Sequence, residues 1–411
     1  MSYIEEEVDI LGQFDGKVSS VVVAARPGSV WLWPVGSPPR APPVHLTGRS
    51  RTELDTAVEF LGGGAVGIRS DASNFGEAKR RSKESCPMLA IHLTLFGEPE
   101  KSLKVVDVPE PPAPTAGQAL VQVEYAPLDH HDLLLAQGIY PVRPELPTAI
   151  GNEGVGTVVS VGPDVMEVRP GERVLLPFGV FSWSERVVAE TADLTVVDKS
   201  ISLEQAAMLT INPVSAGLLV SLRDLPAGSW VVQNAANSGV GRSVIVFAKE
   251  RGLRTINIVR RAELVSELHD LGADIVVVDS ADAGARVREA IGSDPVLLGL
   301  DGVSGAATAL LLDVLTDGSL LAIYGYLSSQ PFTPDPDVLR TKNITTTEFW
   351  MYQDEFLPRL PALNAESARL VSEGRLVLPS APVYKAADFP EALAYFRENG
   401  KVLLDFNPHR A

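Results

Sequence analysis

The chain has 411 residues, 45% of them apolar and 21% charged, which implies a globular enzyme of two or three domains rather than one core. A formal net charge of −17 argues against nucleic-acid or anionic-membrane binding, since both need a basic surface. The single Cys86 rules out an internal disulfide and a cysteine-rich structural zinc site, and no run of 18 apolar residues offers a membrane span. The acidic start MSYIEEEVD carries no leader pattern, so the cytoplasm is the default location.

In chain order, residues 1–87 differ from the rest. PGSVWLWPVGSPPRAPPVHL is dense in proline, which breaks strands and helices alike. Residues 52–61 read as one helix ended by Gly62-Gly63-Gly64, and Lys79-Arg80-Arg81-Ser82-Lys83 as a solvated charge run. Two readings stand for this segment: a weakly folded extension, or a mis-assigned start with the natural one at Met88. From Met88 the texture is of short strands, at 88–93, 102–108, 119–125, 154–161 and 174–177, with a short helix at 129–137. Strands of this kind imply a barrel or sandwich-like domain. After Leu203 helices (204–209, 214–222, 262–271, 285–291, 306–315) alternate with strands (275–279, 296–302, 319–324), which implies a parallel doubly wound sheet. Mixed texture returns after about Pro331. The expectation is an α/β protein in which 88–211 and 332–411 form a β-rich domain and 212–331 is an inserted nucleotide-binding domain.

The stretch 229–261 organises that insert. Residues 229–233 read as a buried strand, 242–251 as a helix stopped at Gly252, and 255–259 as a second strand. The turn between them, Asn234 to Gly241, is made of small residues. Such a turn lets the backbone approach a pyrophosphate, and the following helix offers free N–H groups and a positive dipole end. In the GxGxxG register only Gly241 keeps a glycine, with Ala236 and Ser238 in the other places, so a generic tight turn fits as well. The second strand ends in Arg260 and Arg261, where an NAD site usually carries a carboxylate. A guanidinium pairs with a 2′-phosphate that a carboxylate would repel, so NADPH is expected over NADH. The alternative is two solvated arginines opening a helix.

From Met88 to its end, about four-fifths of the sequence, the chain resembles the medium-chain dehydrogenase/reductase superfamily, and within it the zinc-free trans-2-enoyl-thioester reductases of the mitochondrial fatty-acid-synthesis type. Five segments carry the likeness: Gln137-Gly138-Ile139-Tyr140-Pro141 with Pro144-Glu145-Leu146-Pro147; Gly151-Asn152-Glu153-Gly154-Val155; Ile211-Asn212-Pro213-Val214-Ser215-Ala216; the turn Asn234 to Gly241; and Tyr324-Gly325 with Gln330-Pro331 and Glu348-Phe349-Trp350. The resemblance implies a GroES-like β-rich catalytic domain with an inserted Rossmann domain. It implies Tyr140 as the catalytic residue. Asn212, Asn237, Ser238, Gly239, Val240, Gly241, Arg260, Arg261, Tyr324, Gly325 and Lys401 become cofactor contacts, and Phe349 and Trp350 line the acyl site. It also implies a homodimer, with a strand at 319–324 extending the sheet across subunits. Two positions depart from the family. Tyr326 stands where it keeps glycine, which would narrow the cofactor or acyl site, and Ala262 where it keeps a second arginine, for which Arg261 substitutes.

Zinc alcohol dehydrogenases of this superfamily hold their metal with cysteine and histidine. Here Asn152 takes the histidine's place, and His130 and His131, adjacent and therefore on different helix faces, read as polar surface residues. No metal is expected. Without a Lewis acid, a C=C conjugated to a carbonyl is the easier target. Hydride adds at the β-carbon, the carbonyl oxygen becomes an enolate, and the α-carbon needs a proton. Tyr140 suits that task, because a phenol ordinarily stays protonated at neutral pH; a tyrosine packed in a turn is the alternative. Asn152 reads as a holder of the nicotinamide amide or of a loop, Asn212-Pro213 as a cofactor contact or a cap for a helix starting at Val214. The leading expectation is an NADPH-dependent reductase of 2-enoyl thioesters linked to CoA or acyl carrier protein. The rivals are a zinc-free NADPH:quinone or alkenal oxidoreductase and an NADPH-binding protein without turnover.

Overall fold

The structure is a computed structural model. It describes residues 87–140 and 142–408, together with the backbone of three earlier strands. Two units divide the chain, Met1–Ser85 and Cys86–Ala411. In the first, strands β1 (Val18–Val23), β2 (Ser29–Pro34) and β3 (Val44–Thr47) form an antiparallel sheet in that order. The proline-rich stretch therefore contains strands after all. Pro27 precedes β2, Pro34 is its last residue, and Pro42 and Pro43 precede β3, so no proline falls in a strand interior. The expected helix at 52–61, its glycine cluster, the charge run and Cys86 lie outside the described residues.

The second unit begins with a small antiparallel sheet of β4 (Met88–Leu93), β5 (Leu103–Val108) and β7 (Thr148–Ala149). Its main sheet runs β11 (Thr195–Val196), β9 (Arg173–Leu176), β8 (Gly154–Val161), β6 (Gln118–Leu128), β19 (Val402–Asp405) and β18 (Val383–Lys385), with β10 (Arg186–Glu190) also on β6, and is antiparallel except for the parallel pair β18–β19. Alternation along β6 buries Ala119, Val121 and Val123 against Ile91, Leu93, Ile150 and Trp183. The last strand pairs with one laid down some 280 residues earlier, Leu404 opposite Ala126. The parallel sheet is thus an insert within this one.

That parallel sheet has the order β14 (Ile275–Val278), β13 (Arg254–Val259), β12 (Trp230–Gln233), β15 (Val296–Asp301), β16 (Leu320–Ile323) and β17 (Thr345–Glu348). Two findings depart from expectation. The sheet runs to Glu348, past the expected boundary at 331, because its last strand, Thr-Thr-Thr-Glu, is largely exposed and has no apolar signature. The strand expected to cross a dimer interface, at 319–324, is interior, paired on both sides by β15 and β17. Behind the sheet, α4 (Asn212–Leu219) packs on α5 (Gly239–Glu250), with Val214, Leu218, Val244 and Phe247 fully buried between them. Full burial of a side chain such as Phe247 contributes about 1.5–3 kcal/mol.

Candidate active site

The order of the parallel sheet reverses between β12 and β15, and sheets of this kind open a ligand crevice at such a point, at the strands' carboxyl ends. Asn234 and Asp301 meet across it, the amide donating to the carboxylate at 2.7 Å. The helix after β12 starts at Gly239, three residues earlier than the sequence pattern indicated. Ser238 caps it, its hydroxyl accepting from the Gly241 N–H at 3.1 Å, so Gly239-Val240-Gly241 is the first helical turn and not loop. Replacing Gly241 would force the backbone to shift: a Cβ would lie 2.5 Å from the Ala235 carbonyl oxygen and 2.6 Å from Ala236 Cα. A Cβ on Gly239 would lie 2.6 Å from Asn212 Nδ2, so the Asn212 amide covers the turn. Asn212 is the first residue of α4 and does not cap it; Ile211 occupies the cap position. Asn237 and Val240 stay partly accessible on the crevice side of the turn. The buried Gln233, which the sequence reading passed over, supports the turn from below, donating to the Gly241 carbonyl at 2.9 Å and to Asn257 at 2.7 Å.

Arg260 and Arg261 follow β13 and are exposed, Arg261 lying 3.5 Å from Glu263. Tyr324 follows β16. Burial first, then the charge of Asp301, pushes its phenol well above the ordinary range, with the Ser238 side chain opposing. Its hydroxyl is buried without a well-aligned hydrogen-bond partner among the described residues. A Cβ on Gly302 would sit 2.5 Å from that hydroxyl, and one on Gly325 would sit 2.7 Å from the Gly302 carbonyl. A capped helix start, a glycine cradle and an orphaned buried hydroxyl together fit a dinucleotide phosphate. Tyr326, expected to narrow the site, reaches the edge of the sheet. It is 42% exposed and hydrogen-bonds Glu348 on the edge strand at 3.1 Å.

The second half of the site grows from α2 (His130–Gln137). Asp129 precedes the helix, and its N–H donates to Asp132 at 2.9 Å, a capping contact. Gly138, at φ 75°, ends the helix, and the Tyr140 N–H returns to the Leu134 carbonyl at 3.2 Å. This fixes Tyr140 one short step beyond a rigid helix. Its hydroxyl accepts a hydrogen bond from Trp350 Nε1 at 3.0 Å, an association across 210 residues. Burial raises the Tyr140 phenol above its ordinary value; the Trp350 hydrogen bond opposes that and the Asp132 charge adds to it. Trp350 packs edge-on to Tyr352, which stacks on Phe178 with centroids 4.2 Å apart. Phe349 is not part of this wall and packs against Phe356 instead. Ser215 is buried with its hydroxyl 3.4 Å from the Met351 sulfur.

Behind Tyr140 lies an ionic cluster that the sequence did not announce. Lys401 Nζ stands 2.7 Å from Asp129 and 3.3 Å from Glu153. Glu153 also accepts from the Ile211 N–H at 3.2 Å. Lys401, expected at the cofactor, is therefore engaged with carboxylates, and reaches the turn only through Glu153 and the neighbour of Asn212. Asn152 donates to Asp132 at 2.9 Å and orders the loop rather than facing the crevice. Of the adjacent pair His130 and His131, only His130 is exposed. His131 is only partly exposed, its Nε2 3.4 Å from Asp132, because the helix face it occupies is half covered by Tyr140. Asp129, His131 and Asp132 bring ligand atoms within 4.8 Å of one another. They do not fit a zinc ion: one Asp129 oxygen holds an ammonium and both Asp132 oxygens already accept hydrogen bonds.

A β-rich domain interrupted by a parallel doubly wound sheet is the architecture of the alcohol-dehydrogenase-like enzymes. Residues 115–198 match the alcohol dehydrogenase GroES-like domain, and residues 239–365 match the zinc-binding dehydrogenase domain. The chain belongs to the enoyl-[acyl-carrier-protein] reductases of the medium-chain dehydrogenase/reductase superfamily. It is 37% identical to the mitochondrial enoyl-[acyl-carrier-protein] reductase of Caenorhabditis elegans over 62% of this chain and 75% of that one. It is 33% identical to the Xenopus tropicalis enzyme of the same name, over 72% and 88%. Among solved structures, the mitochondrial 2-enoyl thioester reductase heterodimer of Candida tropicalis superposes with a TM-score of 0.70 at 23% identity, covering 78% of this chain and all of that one. A putative NADPH:quinone reductase of Bacillus thuringiensis superposes as well, at 0.71 and 24%, covering 78% and 99%. The fold alone thus does not separate the two activities. The relatives' names correct the cytoplasmic default: they are mitochondrial enzymes and point to mitochondria instead. That default rested on a missing leader pattern, and an absent pattern is not a signal.

Proposed function

We infer that this chain is an NADPH-dependent reductase of trans-2-enoyl thioesters, carried by CoA or acyl carrier protein. NADPH supplies the hydride when bound. The turn from Asn237 to Gly241, with Asn212 over it and Tyr324 and Gly325 across the crevice, would hold its pyrophosphate and nicotinamide half, and Arg260 with Arg261 its 2′-phosphate. Tyr140 gives the proton. The Trp350 N–H occupies a lone pair of the Tyr140 oxygen, so the phenol's own hydrogen is left for the substrate. Once the proton has gone, the same N–H stabilises the phenolate, and charge-assisted bonds of this kind are about twice as strong as neutral ones. Trp350, Tyr352 and Phe178 offer the acyl chain an apolar wall.

The Tyr140–Trp350 hydrogen bond carries this reading, because it joins a phenol held just beyond a helix end to a donor 210 residues further along the chain. Comparing kcat/KM for short and medium trans-2-enoyl-CoA with that for free alkenals and quinones tests it. Thioesters are expected to lead; a lead by quinones sinks the substrate class and leaves the fold standing. The active form is a homodimer paired through β17, whose exposed Thr345, Thr346 and Glu348 leave an open sheet edge. A monomeric mass on size exclusion contradicts it.

A further inference from the structure

The reduction as described uses none of the ionic cluster behind Tyr140. Three carboxylates there, Asp129, Asp132 and Glu153, are 8%, 1% and 2% exposed, and Lys401 faces only two of them. Asp132 is held rigidly, one oxygen accepting from the Asp129 N–H and the other from Asn152, both at 2.9 Å. The one cation-forming group beside it is His131, whose Nε2 lies 3.4 Å from the Asp132 oxygen without hydrogen-bond alignment. The imidazole centroid lies 6.1 Å from that of the Tyr140 ring, tilted by 41°. The side chain of His131 is 18% exposed against 1% for Asp132, so His131 is where this cluster meets both Tyr140 and solvent.

We propose that His131, beside the Asp132 carboxylate, returns a proton to Tyr140 after each reduction. The proposal rests on Tyr140 as the proton donor. Donation leaves a phenolate in a part-buried place beside a carboxylate, and both features disfavour the anion. The imidazolium N–H bond breaks, the phenol O–H bond forms, and the two charges cancel. Solvent at the exposed edge of His131 then restores the imidazolium. Burial pushes the Asp132 carboxyl up to about 6, with the Asp129 charge adding and His131 opposing. The groups facing His131 are Asp129, His130 and Asp132 from its own helix and cap and Tyr140 from the turn beyond, with Lys401 and Glu153 behind Asp129. His131 acts through Tyr140 and is a positioning residue.

The test separates the first turnover from the steady state. The NADPH-loaded full chain is mixed rapidly with a short trans-2-enoyl-CoA. His131→Ala and His131→Asn are expected to keep the first turnover within about twofold of the parent while steady-state kcat falls roughly a hundredfold, the lower end for general acid–base groups. KM for the thioester stays, and added imidazole restores His131→Ala. Asp132→Asn, which keeps the shape of the pair, lowers kcat less and alters its pH profile. A first turnover that falls along with the steady state overturns the proposal, as does a steady state that does not fall. Tyr140→Phe, run alongside, keeps the two ideas apart. A dead Tyr140→Phe beside a His131→Ala that matches the parent removes the relay alone; an active Tyr140→Phe removes the proton-donor reading on which it stands.

Discussion

The two sides of the crevice treat buried polarity in opposite ways. On the nucleotide side, the fully buried Asp301 accepts from the Asn234 amide, the N–H groups of Val303 and Ser304, and the Thr308 hydroxyl, and no cation among the described residues pairs with it. On the other side, Asp129, Asp132 and Glu153 are matched to Lys401 and His131. The first arrangement fixes the shape of a loop with neutral donors and has no reason to exchange protons. The second is made of groups whose charges depend on one another. Under the proposed function, binding rests largely on backbone geometry and proton chemistry falls to the half that carries Tyr140.

The largest effect should come from the chemical half. Tyr140→Phe is expected to lower kcat by roughly 10²–10⁴, the usual contribution of a positioned acid, with NADPH affinity by fluorescence titration within about twofold of the parent. A variant that instead lost NADPH binding would erase the division between the two sides. Next comes the nucleotide half. Gly241→Ala places a Cβ against backbone atoms that have no room to yield. A loss of about 1–3 kcal/mol in stability is expected, and a weaker NADPH complex, both readable from thermal melts with and without cofactor. Arg260→Glu should weaken NADPH by roughly tenfold and spare NADH, because the lost interaction is with the 2′-phosphate alone. Equal losses for the two cofactors would return Arg260 to the status of a solvated arginine.

The smallest effect is on stability against pH. Burial first, and the neighbouring Asp129, hold the Glu153 carboxyl well above its ordinary value, with Lys401 opposing. The folded chain therefore keeps a proton that the unfolded chain releases. This contribution is complete below the ordinary value of 4.5 and is lost as pH rises through the raised one. Asp129, held below its ordinary value mainly by Lys401 against the effect of burial, works in the reverse sense and is lost on acidification. Glu153→Gln removes the first contribution. Its denaturation midpoint should approach the parent's at acid pH and fall less steeply than the parent's towards pH 8.

How much of this could be read from the sequence follows the same division. The turn from Asn234 to Gly241 is local, and strand, small residues and helix stand next to one another in the chain. Even there, the small residues hid the first helical turn, because Gly239 and Gly241 read as loop until Ser238 is seen to cap them. The Asp129–Asp132 cap also has a local pattern that could have been read. The ionic cluster has none. Lys401 meets Asp129 only because β19 returns to β6, and Trp350 reaches Tyr140 across the whole insert. His131 looked like a surface residue because adjacency on a helix says that two faces differ but not which one is covered. The edge strand β17 escaped notice because an exposed run of threonines carries no apolar alternation.

The most direct test of the central claim follows two labels into the product. A trans-2-enoyl-CoA is reduced once with NADPH deuterated at its transferable position, and once with ordinary NADPH in deuterium oxide, and the saturated thioester is read by NMR. The account predicts one deuterium at the β-carbon from the cofactor and one at the α-carbon from solvent, the latter in a single configuration that Tyr140→Phe abolishes or scrambles. Cofactor deuterium at the α-carbon, or an α-carbon label whose configuration ignores Tyr140→Phe, contradicts it.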